Sequence, residues 1–211
     1  MDKGMSNLLA WSIENSANAQ PQDGTDPQQQ PPQREPRGLT QDALRSLMGG
    51  PSDADLMKEA MTVIVHPEAD LEAKLTAFDN FEQLIENLDN ANNMQPLGLW
   101  EPLMKQLENS QAEIRKMAAW CVGTAVQNNE KSQQHLLSIG GVPKIASMAV
   151  HDQDNAARRK AVYALSSTVR NFQPGMNEAM KVLPKNITGP DHVNATDMDV
   201  IDAIMAKLRE E

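Results

Sequence analysis

The chain has 211 residues, of which 40% are hydrophobic, 23% are charged and only 3% are aromatic. This length suits one domain of roughly 150 residues with flexible extensions, and Leu, Ile, Val, Met and Ala must supply most of its core. The formal net charge of -10 argues against a phosphate-binding surface, because affinity for nucleic acid comes largely from Lys and Arg, so we expect no nucleic-acid partner.

The N-terminal part of the chain divides into a short apolar island and a polar linker. The island, residues 1–16, contains four large apolar side chains: Leu8, Leu9, Trp11 and Ile13. Residues 17–38 are dominated by Pro and Gln, so burial cannot offset the entropy of folding, and we predict a disordered linker. A helix as short as the island is marginal in water by itself. We therefore expect the island to act against a partner; the alternative is that it docks on the main domain as a cap.

Two capping helices are predicted within residues 39–66, before the main domain. The first covers residues 39–48 and ends at a Gly-Gly-Pro stop. The second begins after a cap at Ser52 or Asp53 and ends before Pro67. We expect both helices to cover the first face of the domain.

A helical pattern then recurs about every 40 residues, within residues 67–184. The clearest copy covers residues 114–128, a second copy lies 43 residues later at 157–171, and a weaker copy lies 41 residues earlier at 73–87. Three prolines recur at intervals of 41: Pro102, Pro143 and Pro184. A helical repeat of this length, in a chain with few aromatic residues and no glycine fingerprint, is typical of an armadillo or HEAT array.

The apolar residues of the clearest copy follow three-four spacing and form one broad face. A single helix cannot bury such a face, whereas stacked copies bury one another. The predicted fold is therefore all-α: a right-handed α-solenoid of armadillo-type repeats with a disordered N-terminal extension. The alternative is an ordinary helical bundle in which the similarity between copies is accidental.

An amide-rich run, residues 87–93, follows the first repeat helix, which keeps helical spacing from Leu71 to Leu88. The short side chains of this run would let another protein approach closely; the alternative is that they only end the helix and turn the chain. We expect an exposed contact surface for a partner at five positions: Glu86, Asp89, Asn90, Ala91 and Asn92. The basic residues next in line are Lys74, Arg115 and Arg158.

The end of the chain, residues 185–211, is predicted to contain an irregular segment and a C-terminal capping helix. The third repeat helix is expected to stop at the Gln-Pro-Gly sequence 173–175. Thr196 and Asp199 have capping-box spacing and mark the start of the last helix.

No pattern for catalysis or metal binding is evident. The four histidines are scattered, and there is neither a phosphate-binding loop nor an HExxH pattern, so we expect no enzyme, no cofactor and no metal. Cys121 lies on an apolar helix face and is expected to be a buried, inert thiol. Glu82, Glu86 and Asp89 form an acidic stripe that a solvated face explains more simply than catalytic carboxylates do. The basic triplet 158–160 suits a solvated helix start or a patch for an acidic protein surface.

Three stretches, residues 8–16, 77–93 and 123–129, closely resemble the fungal Fes-type nucleotide exchange factors. These are relatives of the animal protein that binds the 70-kDa heat-shock chaperone. The resemblance covers nearly the whole chain except the Pro/Gln linker. Longer members of the family continue through further armadillo repeats, whereas here the third repeat is followed only by residues 185–211.

The resemblance implies a cochaperone that grips the ATPase domain of the cytosolic 70-kDa heat-shock chaperone and speeds ADP release. It also implies that the N-terminal segment helps to release the client polypeptide, and so contacts the client domain. We expect a monomer that supports protein folding and quality control. No stretch reaches the length of a signal-peptide core or a membrane span, which indicates a cytoplasmic protein without a membrane partner.

Two alternatives belong to other functional classes. Armadillo adaptors that read nuclear import signals resemble one another in a Trp followed four residues later by Asn. Here the equivalent pairs are Trp120 with Thr124 and Tyr163 with Ser167, so the asparagine ladder is absent. The second alternative is a purely structural scaffold, which an assay of nucleotide release separates from an exchange factor.

Overall fold

A computed structural model describes residues 49–189 and 192–210. The chain divides into two units, residues 1–52 and 53–211. Only residues 49–52 of the first unit are described, so the fold given below is that of the second unit.

Several predicted segments lie outside the described residues. They are the apolar island at residues 1–16, the linker at 17–38 and the helix predicted at 39–48. The four apolar side chains of the island, Leu8, Leu9, Trp11 and Ile13, therefore stay predictions.

In its described part the second unit is all-helical, with 11 helices and no strand. In chain order the helices are α1 (Asp53–Val65), α2 (Leu71–Ile85), α3 (Leu88–Asn93), α4 (Trp100–Gln106), α5 (Ala112–Val126), α6 (Glu130–Ser138), α7 (Gly141–His151), α8 (Asn155–Val169), α9 (Gln173–Met180), α10 (Lys185–Thr188) and α11 (Met198–Glu210). The prediction of an all-α protein is confirmed.

Three helices of equal length carry the repeated pattern. Helices α2, α5 and α8 each have 15 residues, and their first residues, 71, 112 and 155, lie 41 and 43 residues apart. These are the intervals at which the pattern recurs in the sequence, so the prediction of a recurring helix is confirmed. Two of the three begin with a capping aspartate: Asp70 accepts a hydrogen bond from the Ala73 amide (2.7 Å), and Asp154 accepts one from the Ala157 amide (2.8 Å). Each such cap stabilises a helix by about 1 kcal/mol.

Helix α5 packs between α2 and α8, and the approach of α5 to α8 is especially close at Gly123. A Cβ atom at Gly123 would lie 2.5 Å from Cε1 of Tyr163 and 3.0 Å from Cα of Ala164. Real atoms do not approach so closely, so only glycine lets the two helices meet at this distance. The row α2–α5–α8 is flanked by α1, which packs on α2, and by α7 and α11, which pack on α8.

The core is one cluster of buried apolar side chains that runs through the row and its flanking helices. Its largest fully buried members are Phe78, Phe81, Met57, Ile64, Ile85, Met94, Leu103, Ile114, Leu136, Ile145, Leu165 and Met176. Burial of each side chain of this size contributes roughly 1.5–3 kcal/mol, which is how aliphatic residues and methionine replace the missing aromatic residues.

The first repeat helix is shorter than its apolar spacing predicts. It ends at Ile85, and Asn87 then adopts an extended conformation in which its side-chain oxygen accepts a hydrogen bond from the Asp89 amide (2.9 Å). This cap starts the separate helix α3 at Leu88. Leu88 is consequently 56% exposed, and the prediction that the first repeat helix continues to Leu88 is wrong.

The predicted stop at residues 173–175 is also wrong. Helix α8 already ends at Val169, where Asn171 takes a left-handed conformation (φ 56°) and its amide donates to the Ala195 carbonyl (2.8 Å). The Gln-Pro-Gly sequence instead opens α9, because proline is tolerated in the first turn of a helix, where its missing amide hydrogen has no partner.

The C-terminal segment differs from expectation in two ways. Part of the region predicted to be irregular forms the one-turn helix α10, which ends at Thr188 and is followed by Gly189 in a positive-φ conformation (φ 74°). The predicted capping box of α11 is absent, since Thr196 donates to the Asn194 side chain (2.9 Å) and Asp197 accepts from the Val200 amide (3.2 Å). An aspartate at the N-cap is a better acceptor than threonine, and this decides the start of the helix.

Candidate partner-binding site

The amide-rich run does not form a fully exposed surface. Asn90 and Ala91 are buried, with 8% and 2% exposure. The Asn90 side-chain amide donates to the carboxylate of Asp53 (2.8 Å) and to the carbonyl of Leu84 (2.9 Å), so it ties α3 to both α1 and the end of α2. The expectation that these two residues are exposed is therefore wrong, because α3 turns one side toward its neighbours.

The other three positions of this run are accessible to different degrees. Glu86 and Asp89 are exposed, and Asn92 is half-buried. The side-chain oxygen of Asn92 is buried and accepts no hydrogen bond within the described structure. The exposed side of this turn thus presents two carboxylates, and its role in binding stays a prediction.

Two of the three candidate basic residues are held by intramolecular bonds. Arg115 donates to both carboxylate oxygens of Asp152 (2.7 Å each) and to the carbonyls of Asn109 (2.9 Å) and Ser110 (3.1 Å). Arg158 donates to the Asp152 carbonyl (3.1 Å). These bonds join the loops that precede α5 and α8, so both arginines organise the chain itself.

Electrostatics strengthen the pair of Arg115 and Asp152, whose side chains are 17% and 4% exposed. The Arg115 guanidinium holds the pKa of the Asp152 carboxyl below its usual value, against the opposing effect of burial. The same hydrogen bonds raise the pKa of Arg115. A bidentate pair of this kind is a strong, directional interaction.

Lys74 occupies the equivalent position on α2 but has a different environment. It is half-buried, and no hydrogen bond or salt bridge to it is found within the described residues. The counterpart of Asp152 in the loop before α5 is Asn109, which carries no charge to pair with Lys74. Of the three basic candidates, Arg115 alone is paired with a carboxylate, and Lys74 is the one with no bonded partner in the described structure.

A cation–aromatic cluster lies where α5 meets α8. The Lys160 ammonium sits 3.6 Å from the centroid of the Trp120 ring and 5.6 Å from that of Tyr163. The Tyr163 hydroxyl donates to the side-chain oxygen of Gln127, the residue just after α5 (3.0 Å), which orients the ring. Burial lowers the pKa of Lys160, as does nearby Lys116.

Glu82 of α2 faces the same region. It is 5% exposed and accepts a hydrogen bond from the Thr124 hydroxyl (2.6 Å). Its charge acts to raise the pKa of Lys160, in opposition to burial. The expectation that Glu82 belongs to a solvated acidic stripe is wrong, because the packing of α2 against α5 covers its side chain.

Sequence reasoning offered the basic triplet 158–160 as a patch for an acidic protein surface, but it did not connect these cations with the two aromatic rings, although a signal for the contact exists. Trp120 and Tyr163 occupy the same position in consecutive copies of the repeat, 43 residues apart, and Lys160 precedes Tyr163 by one helical turn. An aromatic position repeated in adjacent helices, with a cation one turn away, indicates that the three side chains meet if the helices pack in parallel register.

Other reactive groups in the described structure have structural environments. Burial raises the pKa of the Cys121 thiol well above its usual value, and the sulfur lies 3.8 Å from the Phe78 carbonyl oxygen, so the prediction of a buried thiol is confirmed. Residues 49–189 and 192–210 contain no group of three His, Cys, Asp or Glu side chains placed to hold a metal ion. The helices within these described residues are all too short or too polar to cross a membrane.

Comparison with known proteins places this helical chain in a defined class. Residues 5–94 match the family model described as "Nucleotide exchange factor Fes1", and residues 90–182 match the one described as "SIL1/FES1/HPBP1 C-terminal domain". Together the two models cover residues 5–182.

Whole proteins of the same class are similar over their full length. The chain is 57% identical to a Coccidioides immitis protein named Hsp70 nucleotide exchange factor FES1, with coverage of 100% of this chain and 99% of the relative. A Gibberella zeae protein of the same name is 51% identical, with coverage of 100% and 97%. The Neurospora crassa protein named Hsp70 nucleotide exchange factor fes-1 is 45% identical, with coverage of 100% and 98%. The chain belongs to the Fes1 family of nucleotide exchange factors, which confirms the resemblance seen in the sequence.

Proposed function

We propose that this protein is a nucleotide exchange factor of the cytosolic Hsp70 chaperone. It binds the ATPase domain, accelerates ADP release and promotes release of the client, and thereby supports protein folding and quality control. The observation that carries the proposal is the full-length similarity, at up to 57% identity, to proteins named for this activity.

The proposed architecture is a right-handed armadillo-type solenoid. Three equal helices packed in a row, each accompanied by shorter helices, support this assignment. In this scheme α1 belongs to the N-terminal cap, residues 67–184 contain the repeats, and α11 is the C-terminal cap. The protein acts as a monomer in the cytoplasm and needs no cofactor.

The proposed mechanism requires differential affinity instead of chemical catalysis. A protein that binds the open ATPase domain more tightly than the closed one shifts the equilibrium toward the open form, from which nucleotide escapes. Each tenfold preference for the open form contributes about 1.4 kcal/mol to this shift. A rigid row of helices suits the task, since a scaffold that does not deform can impose its own shape on the partner.

The partner-binding surface includes the exposed parts of the predicted site. Glu86 and Asp89 offer carboxylates, and Lys74 offers a cation that no described carboxylate neutralises. Asn90 and Ala91 are buried beneath this surface, and the half-buried Asn92 lies at its edge. Arg115 and Arg158 act indirectly, since their bonds to Asp152 set the position of α8 relative to α5.

The proposal is tested by stopped-flow release of a fluorescent ADP analogue from Hsp70. We expect the release rate to rise with the concentration of this protein and to saturate once the chaperone is fully bound. A peptide-binding adaptor or a structural scaffold would leave the rate unchanged at every concentration. Lack of acceleration at saturation, with binding demonstrated separately, would rule out the exchange function.

The N-terminal island is expected to have a task separable from nucleotide exchange. Leu8, Leu9, Trp11 and Ile13 are followed by residues 17–38, whose Pro- and Gln-rich composition predicts a linker with a reach on the order of 25 Å. Such an apolar segment can compete with an unfolded client for the client-binding groove at high effective concentration. Deletion of residues 1–15 should therefore leave ADP release unchanged and slow the release of a bound unfolded client.

Measurement of both rates on the same preparation separates this expectation from a capping role. If the deletion lowers the melting temperature and also slows ADP release, the island is part of the folded domain. A variant with all four apolar side chains replaced by serine provides a control of unchanged length.

A further inference from the structure

A basic aromatic patch lies on α5 and α8, defined by Lys116, Trp120, Arg159, Lys160 and Tyr163. Arg159 is exposed and the other four are half-buried. The influence of Lys116 on the pKa of Lys160 places these two cations near each other. The patch therefore combines three positive charges with two aromatic rings on neighbouring helices.

The cations of the patch are not neutralised within the described structure. Salt bridges elsewhere in the described residues join Lys105 to Glu101, Arg115 to Asp152, Lys144 to Glu108, Arg170 to Asp202 and Lys181 to Glu178, and none includes a residue of the patch. The nearest acidic influence on Lys160 is Glu82, which already accepts the Thr124 hydroxyl and is almost fully buried. An uncompensated basic patch stands out in a chain whose net charge is -10.

The patch is also pre-organised. The Trp120 ring supports the Lys160 ammonium, and the bond from Tyr163 to Gln127 holds the second ring in place. Little side-chain entropy remains to be lost when a ligand binds such a group. Partial burial weakens the hydration of the Lys160 ammonium, so an incoming carboxylate displaces little water. Solvent also screens the electrostatic attraction between the two charges less than it would on an open surface.

We infer that the basic aromatic patch is the docking point for an acidic surface segment of the chaperone, with Lys160 as its central cation. This inference rests on the proposed function and names the chemistry that one part of the interface recognises. Aromatic residues and paired charges at the centre of an interface contribute most of the binding free energy, whereas charges at the rim mainly affect association rates. Lys160 combines a charge with an aromatic contact, because its half-buried ammonium lies over the Trp120 ring.

An acidic protein segment fits the patch better than nucleic acid does. Three cations are too few to hold a polyphosphate chain against the repulsion of a protein with a net charge of -10. A short acidic segment of a protein carries fewer charges and can place a carboxylate on Lys160 while its backbone or apolar atoms contact the two rings.

The test compares Lys160→Glu with Lys131→Glu in the full-length protein. Lys131 is an exposed residue of α6 that forms no salt bridge within the described structure, so both variants change the net charge equally. Binding to full-length Hsp70 in the ADP state is measured by isothermal titration calorimetry. We expect Lys160→Glu to raise Kd about tenfold or more, as for a central interface residue, and Lys131→Glu to change it less than twofold.

Two further measurements make the result specific. Lys160→Met keeps the packing on Trp120 and removes the charge, so it should weaken binding and flatten the dependence of Kd on salt concentration. Circular dichroism melting curves of all variants should coincide with that of the original protein, which excludes unfolding as the cause of weaker binding.

The outcomes distinguish this inference from the proposed function. If the original protein accelerates ADP release and Lys160→Glu binds as tightly as Lys131→Glu, the patch is not part of the interface. If the original protein does not accelerate release, the proposed function itself fails. Binding of a labelled single-stranded oligonucleotide that Lys160→Glu abolishes would overturn the assignment to an acidic protein surface.

Discussion

Arginine in place of Ala91 is expected to destabilise the protein by about 3 kcal/mol or more, because the site has no room for a long charged side chain. Ala91 is almost fully buried on α3, which packs against α2, α5 and α6. A loss of this size should lower the melting temperature by roughly 6–12 °C for a domain of this length. Thermal denaturation followed by circular dichroism at 222 nm, the usual helix signal, measures the change.

Asn93→Arg is the matched control for this substitution. Asn93 is the last residue of the same helix and is exposed, so an arginine there should alter stability by no more than about 0.5 kcal/mol. Should Ala91→Arg melt at the same temperature as Asn93→Arg, α3 does not pack as described. If Ala91→Arg also fails to bind Hsp70, its melting curve must be examined first, since an unfolded variant says nothing about the interface.

Loss of the Asp152 carboxylate is expected to lower the free energy of unfolding by nearly as much. Asp152→Ala leaves the Arg115 guanidinium without its bidentate acceptor in a half-buried site. Removal of one partner from a fully buried pair costs roughly 3–5 kcal/mol, and the partial exposure of Arg115 reduces our expectation to about 2–3 kcal/mol. Urea denaturation of the original protein and of the variant measures the difference in free energy of unfolding.

The contribution of Asp152 to the free energy of unfolding should also depend on pH. Arg115 lowers the pKa of this carboxyl in the folded protein relative to the unfolded chain, where it is about 3.9. The charged pair therefore stabilises the fold fully above the unfolded pKa, and this stabilisation is lost as the pH falls through the lower, folded pKa. Arg115 keeps its proton throughout this range, because its own pKa is raised.

Asp152→Asn isolates this effect, since the amide keeps the size of the side chain and cannot ionise. The difference in unfolding free energy between the original protein and Asp152→Asn should be constant near neutral pH. It should shrink as the pH is lowered below about 4. A difference that stays constant down to the lowest accessible pH would mean that the charge of Asp152 does not stabilise the fold.

Local features of the sequence were sufficient to identify the repeated helices and the family. The apolar three-four spacing and its recurrence after 41 and 43 residues predict α2, α5 and α8, because a helix face depends mainly on residues within a few turns of one another. The buried state of Cys121 follows from the same spacing. Family motifs are contiguous stretches of sequence, so they can be recognised without knowledge of the fold.

Helix ends were less predictable because competing caps decide them. The apolar spacing continues from Ile85 to Leu88, yet the side chain of Asn87 stops one helix and starts another. Asp197 replaces Thr196 as the cap of α11 for a similar reason. At α11 two neighbouring polar residues can serve as the cap, and the aspartate, the better acceptor, is the one that accepts the hydrogen bond.

The sequence by itself thus determined which segments are helical and which family the chain belongs to, whereas only the tertiary structure decided which side chains are available to a partner. Alanine and asparagine are common both on surfaces and in cores, so the burial of Ala91 and Asn90 depends on how α3 is turned toward its neighbours. The pairing of Arg115 with Asp152 and of Lys160 with Trp120 joins residues about 40 positions apart. No local spacing specifies such pairs, because they exist only once α5 and α8 lie side by side at the distance that Gly123 permits.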